Sequence, residues 1–195
     1  MAKIELQNIA HSYNPQSAEQ NYALNPFNMT WEDGGRYAIL GPSGCGKTTM
    51  LNIMSGIVQP SEGNLLFDGV DVTKLSTSER NIAQVFQFPV IYGTMSVEQN
   101  LAFPLVCRNY EKPAIDAKVR EVSEALGLQE LLTKSASRLT ADQKQLISLG
   151  RGLVRDDVAA VLMDEPLTVI DPDLKFRLRR QLKESNQKDR VTFIY

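Results

Sequence analysis

Apolar residues form short runs, or alternate with polar ones, in the stretches KIELQNIA, RYAIL, NLLF, IAQVF, VAAVLM and VTFIY. This period of two, rich in β-branched side chains, predicts β-strands. Longer stretches with the helical period of 3.6 residues lie between several of them. The mixture of the two patterns predicts an α/β fold.

The first predicted strands are joined by short polar turns such as WEDGG, PSEG and FDGVD, which favour antiparallel pairing. From about Ser96 to Arg155 the pattern is helical, in SVEQNLAFPLVCR, KPAIDAKVREVSEALGL and ADQKQLISLGRGLV, and another helix is predicted at PDLKFRLRRQLKE. We therefore predict a single domain over residues 1–195. Its core and antiparallel β layer occupy about 1–95 and 156–195, and a helical insertion subdomain occupies about 96–155.

Composition excludes several classes of protein. The chain has 195 residues, of which 43% are hydrophobic and 23% charged, enough for one well-buried domain. A net charge of -2 gives no support for a nucleic-acid partner. Cys45 and Cys107 lack the spacing of a zinc site or a disulfide framework. With no apolar run of about 18 residues, any membrane role is expected to be peripheral.

The stretch GPSGCGKTT lies between the strand RYAIL and the helical TTMLNIMSGI, and it matches the P-loop pattern G-x-x-x-x-G-K-[ST]. Backbone amides of such a loop converge on phosphate oxygens at a helix N-terminus. Lys47 would reach the β and γ phosphates, Thr48 would hold Mg²⁺, and Thr49 could add a phosphate contact. The alternative is a glycine-rich turn with an exposed lysine. The predicted nucleotide-binding positions are Gly41, Pro42, Ser43, Gly44, Cys45, Gly46, Lys47, Thr48 and Thr49.

A second motif, VAAVLMDEP, ends an apolar strand in the carboxylates Asp164 and Glu165. Asp164 could hold Mg²⁺ through its water shell, as in other P-loop nucleotidases. Glu165 could orient or deprotonate an attacking water molecule. Alone, the motif could be a turn that ends a strand, but its combination with a P-loop favours the catalytic interpretation.

Taken in order, these motifs resemble the nucleotide-binding subunit of ATP-binding cassette (ABC) transporters over nearly the whole chain. The resemblance implies a P-loop NTPase core of the RecA-like type, with ATP and Mg²⁺ as cofactors. Tyr13 in HSYNP resembles the adenine-stacking aromatic, and Gln87 in VFQFP resembles the Q-loop glutamine that contacts Mg²⁺ and the attacking water. Asp171 in LTVIDPDL resembles the D-loop aspartate between paired subunits. Without the resemblance, Tyr13 would be interpreted as a buried or turn tyrosine, Gln87 as a polar residue at the end of a strand, and Asp171 as a helix cap.

LTADQKQLISLGRGLV aligns with the family's signature segment, usually L-S-G-G-Q, which closes on the γ-phosphate of the opposite subunit. Thr140 and Gln143 are retained and predict a capping box, whereas Ala141 and Asp142 replace glycines. Asp142 gains about 0.3–1 kcal/mol from the helix dipole. Repulsion from a phosphate about 5 Å away costs roughly 3 kcal/mol at an effective dielectric near 20. Repulsion should therefore win if Asp142 points inward, and either the carboxylate turns aside, a cation neutralises it, or this half-site is weak. Our hypothesis is that the partner is a second ATPase subunit, a different chain with an ordinary signature.

The region VFQFPVIYGTMSVEQNLAFPL is similar to that of bacterial carbohydrate importers, and the signature resembles those of glycerol or other polyol uptake. This implies integral membrane permease subunits as partners and a peripheral position on the cytoplasmic side of the membrane. A soluble ABC ATPase of DNA repair or ribosomes, and a non-hydrolysing nucleotide-binding module, remain alternatives.

The family's switch histidine follows the strand that here ends VTFIY, so His11 is not assigned that role. We interpret His11 as a surface or turn residue. For the same reason we expect the chain to be part of a longer protein.

Overall fold

The computed structural model describes residues 2–14, 21–166 and 191–195. These residues divide into two compact units. The first contains the described parts of 1–84, 157–164 and 190–195, and the second contains 85–156 with 165–166. The boundaries predicted above for the core and the helical insertion stay a prediction. The helix predicted at PDLKFRLRRQLKE lies outside the described residues.

An antiparallel sheet forms one layer of the first unit, with the strand order β2-β1-β4-β5. Ile4 of the central strand β1 pairs with Trp31 on one side and Phe67 on the other, so the predicted antiparallel layer is confirmed. Strand β2 was not predicted, because most of its residues are exposed and the apolar alternation is weak. The strands are β1 (Ile4–His11), β2 (Leu24–Trp31), β4 (Glu62–Phe67) and β5 (Val70–Asp71).

The other sheet has the strand order β3-β8-β7-β6, and β8 pairs in parallel with both β3 and β7. All residues of β7 are buried, as the continuous apolar run VAAVLM predicts for a central parallel strand. The strands are β3 (Arg36–Tyr37), β6 (Ile82–Val85), β7 (Ala160–Met163) and β8 (Phe193–Ile194).

Helix α1 (Lys47–Ser55) buries Ile53 and Met54 in one apolar core with Ile4 and Leu65. This core fixes the axis of α1 and so fixes the loop that precedes it. Among the described residues, no helix is long and apolar enough to cross a membrane.

The C-terminal end of α1 is held by Arg80, whose side chain is only 1% exposed. Its guanidinium group donates to the carbonyl oxygens of Ile53, Met54, Thr73 and Leu75. Burial lowers the pKa of Arg80. The carbonyl oxygens of Ile53 and Met54 lie in the last turn of α1, at the negative end of the helix dipole, which favours a cation there.

The second unit contains helices α2 (Val97–Val106), α3 (Lys112–Leu126) and α4 (Ala141–Leu153), and all three were predicted to within two residues at each end. The helices α2 and α4 approach closely at Gly150, where an added Cβ would lie 2.5 Å from Cδ2 of Leu101. Short 3₁₀ turns at Gln129–Leu131 and Ala136–Arg138 connect α3 to α4.

Candidate functional site

The P-loop of the first unit connects β3 to α1. Gly44 and Gly46 have φ angles of 82° and 93°, a left-handed conformation that favours glycine. A Cβ on Gly46 would also lie 2.7 Å from the carbonyl oxygen of Ala23. The pattern of glycines is therefore required by the backbone, and α1 begins directly after the loop, at Lys47.

The ammonium group of Lys47 is held across this loop. Its Nζ donates to the carbonyl oxygens of Gly41 at 2.9 Å and Pro42 at 3.0 Å. These contacts place a positive charge beside the N-terminus of α1, where the helix dipole is also positive. The combination is suited to binding an anion such as a phosphate chain.

Thr48 and Asp164 are joined directly, since the hydroxyl of Thr48 donates to Oδ2 of Asp164 at 2.7 Å. Asp164 follows the buried strand β7 and is only 8% exposed. A hydroxyl and a carboxylate are hard oxygen donors of the kind that Mg²⁺ prefers. The described residues contain no cluster of three metal-ligating side chains. This donor set fits Mg²⁺, which is usually bound through one or two carboxylates and substrate phosphates.

Tyr13 lies beside the start of α1, with its hydroxyl 3.2 Å from Oγ1 of Thr49. The tyrosine is 60% exposed, so much of its ring surface can accept a stacked base. His11 contacts this ring edge to face, with centroids 4.6 Å apart and an interplanar angle of 89°.

The interpretation of His11 as a surface or turn residue is wrong. His11 is the last residue of β1 and is buried, and its Nδ1 lies 3.3 Å from Oγ of Ser61. The prediction failed because the strand continues to His11, which the local sequence did not indicate. His11 instead supports the ring of Tyr13.

In the second unit, Gln87 lies in the exposed bend that follows β6. The segment after it exposes Phe88, Val90 and Tyr92, of which Phe88 is 71% exposed. Arg151 of α4 lies over the ring of Tyr92, 4.6 Å from its centroid, and donates to the carbonyl oxygen of Val90. The exposed segment is therefore anchored to α4.

Glu165 also belongs to the second unit and follows Asp164 in the chain. It is exposed and has a φ angle of 45°. This conformation is uncommon for a residue other than glycine, and such strain is concentrated at functional sites.

The predicted capping box of α4 is confirmed. The Thr140 hydroxyl accepts from the Gln143 amide at 3.3 Å, and the Gln143 side chain accepts from the Thr140 amide at 3.2 Å. Between them, Ala141 is exposed and Asp142 is half-buried in the first turn. Asp171 lies outside the described residues, and its role stays a prediction.

The ABC transporter family model matches residues 24–168 of this chain. The multiple sugar-binding transport ATP-binding protein MsmK of Streptococcus mutans is 36% identical over 188 residues, covering 96% of this chain and 50% of MsmK. The trehalose/maltose import ATP-binding protein MalK of Thermococcus litoralis is 40% identical over 179 residues, covering 89% of this chain and 48% of MalK. The chain thus spans about half the length of the curated relatives it matches.

A solved dimeric structure of the ATP-binding cassette MJ0796, bound to ADP and Pi in a post-hydrolysis state, superposes with a TM-score of 0.87 at 25% identity. The superposition covers 98% of this chain and 86% of that one. The chain belongs to the ABC transporter family, and its α/β P-loop NTPase fold is confirmed.

Proposed function

We propose that the chain is the ATP-binding and ATP-hydrolysing energy-coupling part of a sugar or polyol importer. The observation that supports this best is the hydrogen bond between Thr48 and Asp164, which joins the P-loop to the end of β7. The names of the relatives support import of a carbohydrate, since MsmK is a multiple sugar-binding transport protein and MalK a trehalose/maltose import protein.

Binding of ATP is assigned to the first unit. The P-loop amides and Lys47 bind the phosphates, and Tyr13 stacks on the adenine. Thr48 and Asp164 would hold Mg²⁺, which neutralises charge on the phosphates when it is bound. Their direct contact supports this assignment, because it places two hard oxygen donors together.

Hydrolysis is assigned to Glu165 and Gln87, both from the second unit. Glu165 orients or deprotonates the attacking water. Gln87, which resembles the Q-loop glutamine, would contact the same water and Mg²⁺ when it is bound. The exposure of both residues supports this role, because a water molecule can reach them.

A second ATPase subunit, different from this chain, is proposed to complete the reaction. Thr140, Ala141, Asp142 and Gln143 would face its P-loop, and Asp171 would lie between the subunits. The position of Asp142 in the first turn of α4 supports an altered half-site, because its carboxylate would repel a γ-phosphate. The same observation favours a second candidate function, a nucleotide-binding module that does not hydrolyse ATP.

Integral membrane permease subunits are the proposed partners, with the protein peripheral on the cytoplasmic side of the membrane. The exposed apolar side chains of Phe88, Val90 and Tyr92 support this, since large exposed apolar groups mark interaction sites. Sugar import is favoured over the soluble ABC ATPases of DNA repair or ribosomes because the relatives MsmK and MalK are named as sugar transport and import proteins.

The test compares ATP hydrolysis by the full-length protein, purified with its membrane partners, with that of Glu165→Gln. We expect the variant to retain bound Mg-ATP while hydrolysis falls by about a hundredfold or more. Glu130→Gln is the matched control, because Glu130 is an exposed glutamate of the same unit, and it should hydrolyse ATP normally. An inactive wild type would favour the non-hydrolysing module, and failure to co-purify with membrane subunits would contradict the transporter assignment.

A further inference from the structure

Gln145 connects the chain segments beside the two proposed hydrolytic residues. It lies on α4 and is 0% exposed. Its Nε2 donates to the carbonyl oxygen of Phe86 at 3.2 Å and to that of Pro166 at 2.9 Å. Phe86 immediately precedes Gln87, and Pro166 immediately follows Glu165. One carboxamide therefore contacts the neighbours of both residues.

The orientation of this carboxamide is fixed by its acceptors. Both partners are carbonyl oxygens, so the opposite orientation would place the side-chain oxygen against them and lose both hydrogen bonds. The side-chain oxygen Oε1 is buried and has no hydrogen-bond partner among the described residues. An unpaired buried acceptor costs free energy. Stability alone is thus a poor explanation for an amide at this position.

The backbone at Glu165 depends on contacts of this kind. Its φ angle of 45° is unfavourable for a residue with a Cβ, and such a conformation persists only when surrounding structure holds it. The next residue, Pro166, has no amide hydrogen, so its backbone can form a hydrogen bond only through its carbonyl oxygen. The bond from Gln145 supplies that contact.

The same face of α4 also anchors the segment that follows Gln87. Ser148 and Arg151 lie three and six residues after Gln145, so all three project from one side of the helix. The amide of Val90 donates to Oγ of Ser148 at 3.4 Å, and Arg151 donates to the Val90 carbonyl oxygen. Of these three side chains, Gln145 is the one whose described bonds also reach Pro166.

We propose that Gln145 is a positioning residue for ATP hydrolysis, which sets the backbone at Gln87 and at Glu165 through the carbonyl oxygens of Phe86 and Pro166. The inference rests on the proposed function, in which those two residues act on the attacking water. Removing the donor displaces both groups, and small displacements of a catalytic group reduce rate by about 10- to 100-fold. ATP binding is assigned to the P-loop and Tyr13 and is retained.

The test uses the full-length protein in its complex and compares Gln145→Met, which keeps the length of the side chain but has no donor, with wild type. Gln84→Met is the control, because Gln84 is a partly buried glutamine whose Nε2 donates to Oδ1 of Asn52 rather than to the carbonyl oxygens of Phe86 and Pro166. Measurements are kcat, KM, equilibrium binding of Mg-ATP and the melting temperature. We expect kcat to fall about 10- to 100-fold in Gln145→Met, with ATP affinity within about threefold of wild type. The control should keep its kcat.

If Gln145→Met lowers only the melting temperature and matches Gln84→Met in kcat, the inference is overturned while the proposed function stands. If wild type itself hydrolyses no ATP, the proposed function and the inference both fail. Gln145→Glu gives a second test if the methionine variant does not fold. Its carboxyl group can donate one hydrogen bond only when protonated, so its kcat relative to wild type should rise as pH falls. A pH profile parallel to wild type would contradict the positioning role.

Discussion

The hydroxyl of Thr48 donates a 2.7 Å hydrogen bond to Oδ2 of Asp164, across 116 positions of sequence. Thr48 lies in the first turn of α1, and Asp164 follows β7. The contact brings together two short motifs that are separate in the sequence. It therefore specifies where the proposed Mg²⁺ would be held, beside the P-loop.

Thr48→Val should weaken Mg-ATP binding while preserving the shape of the side chain. The variant leaves Asp164 without its hydroxyl partner and removes one oxygen donor for Mg²⁺. Loss of a group that holds or orients a metal ligand typically costs about 10- to 100-fold in metal affinity, and we expect a loss of that size in Mg-ATP affinity. Calorimetric titration would measure this, and Thr48→Ser, which keeps the hydroxyl, should bind nearly as wild type. An equal loss with EDTA present would show that the effect does not depend on the metal.

Elements that are determined by residues close together in the sequence were the easiest to predict. The capping box at Thr140 and Gln143 requires only two residues three positions apart, and the structure contains both of its hydrogen bonds. The P-loop is similar, because its glycines are required by a local left-handed backbone at Gly44 and Gly46. Helices α2 and α3 also follow from local periodicity and local caps.

Features that depend on distant residues were missed. Strand β2 pairs with β1 through its backbone, although few of its own side chains are buried. His11 is buried through contacts with Ser61 and Tyr13. The contact with Ser61 could not be predicted from a local pattern, because the two residues are 50 positions apart. Gln145 was not singled out from the sequence, because its two acceptors are 59 and 21 positions away. The capping box involves only Thr140 and Gln143, so its spacing does not indicate a role for Gln145.

Tyr13→Ala should weaken binding of ATP without affecting binding of the phosphate chain alone. Stacking of a base on an aromatic ring contributes about 1–3 kcal/mol, so we expect ATP affinity to fall roughly tenfold. Inorganic tripolyphosphate, which has no base, should bind equally to both proteins. Tyr13→Phe keeps the ring and its edge contact with His11, and it should behave nearly as wild type. A similar loss for ATP and tripolyphosphate would contradict base stacking.

Arg80→Met should destabilise the first unit strongly. The variant removes the donors for the carbonyl oxygens of Met54 and Thr73 at buried positions, and for that of Leu75 at a partly buried one. The carbonyl oxygen of Ile53 keeps the amide of Gly56 as a donor. Each buried acceptor left unpaired costs about 1–3 kcal/mol, so the carbonyl oxygens of Met54 and Thr73 alone predict a loss of at least about 2 kcal/mol in the free energy of unfolding. Urea unfolding would measure it, with Arg138→Met at an exposed position as the control. A loss below about 1 kcal/mol would show that water replaces the guanidinium group.

Asp142→Asn should increase the tendency of this chain to form a symmetric dimer with nucleotide. The capping box of α4 is made by Thr140 and Gln143, so the substitution leaves it intact and removes only the charge. A symmetric dimer contains two such contacts, so relief of roughly 3 kcal/mol at each corresponds to about ten-thousandfold tighter association. Sedimentation of the full-length protein with Mg²⁺ and a non-hydrolysable ATP analogue would measure the dimer fraction. Asp142→Glu, which retains the charge, is the control and should remain monomeric like wild type. If wild type already dimerises fully under these conditions, the carboxylate does not oppose closure and the proposed requirement for a different partner subunit is wrong.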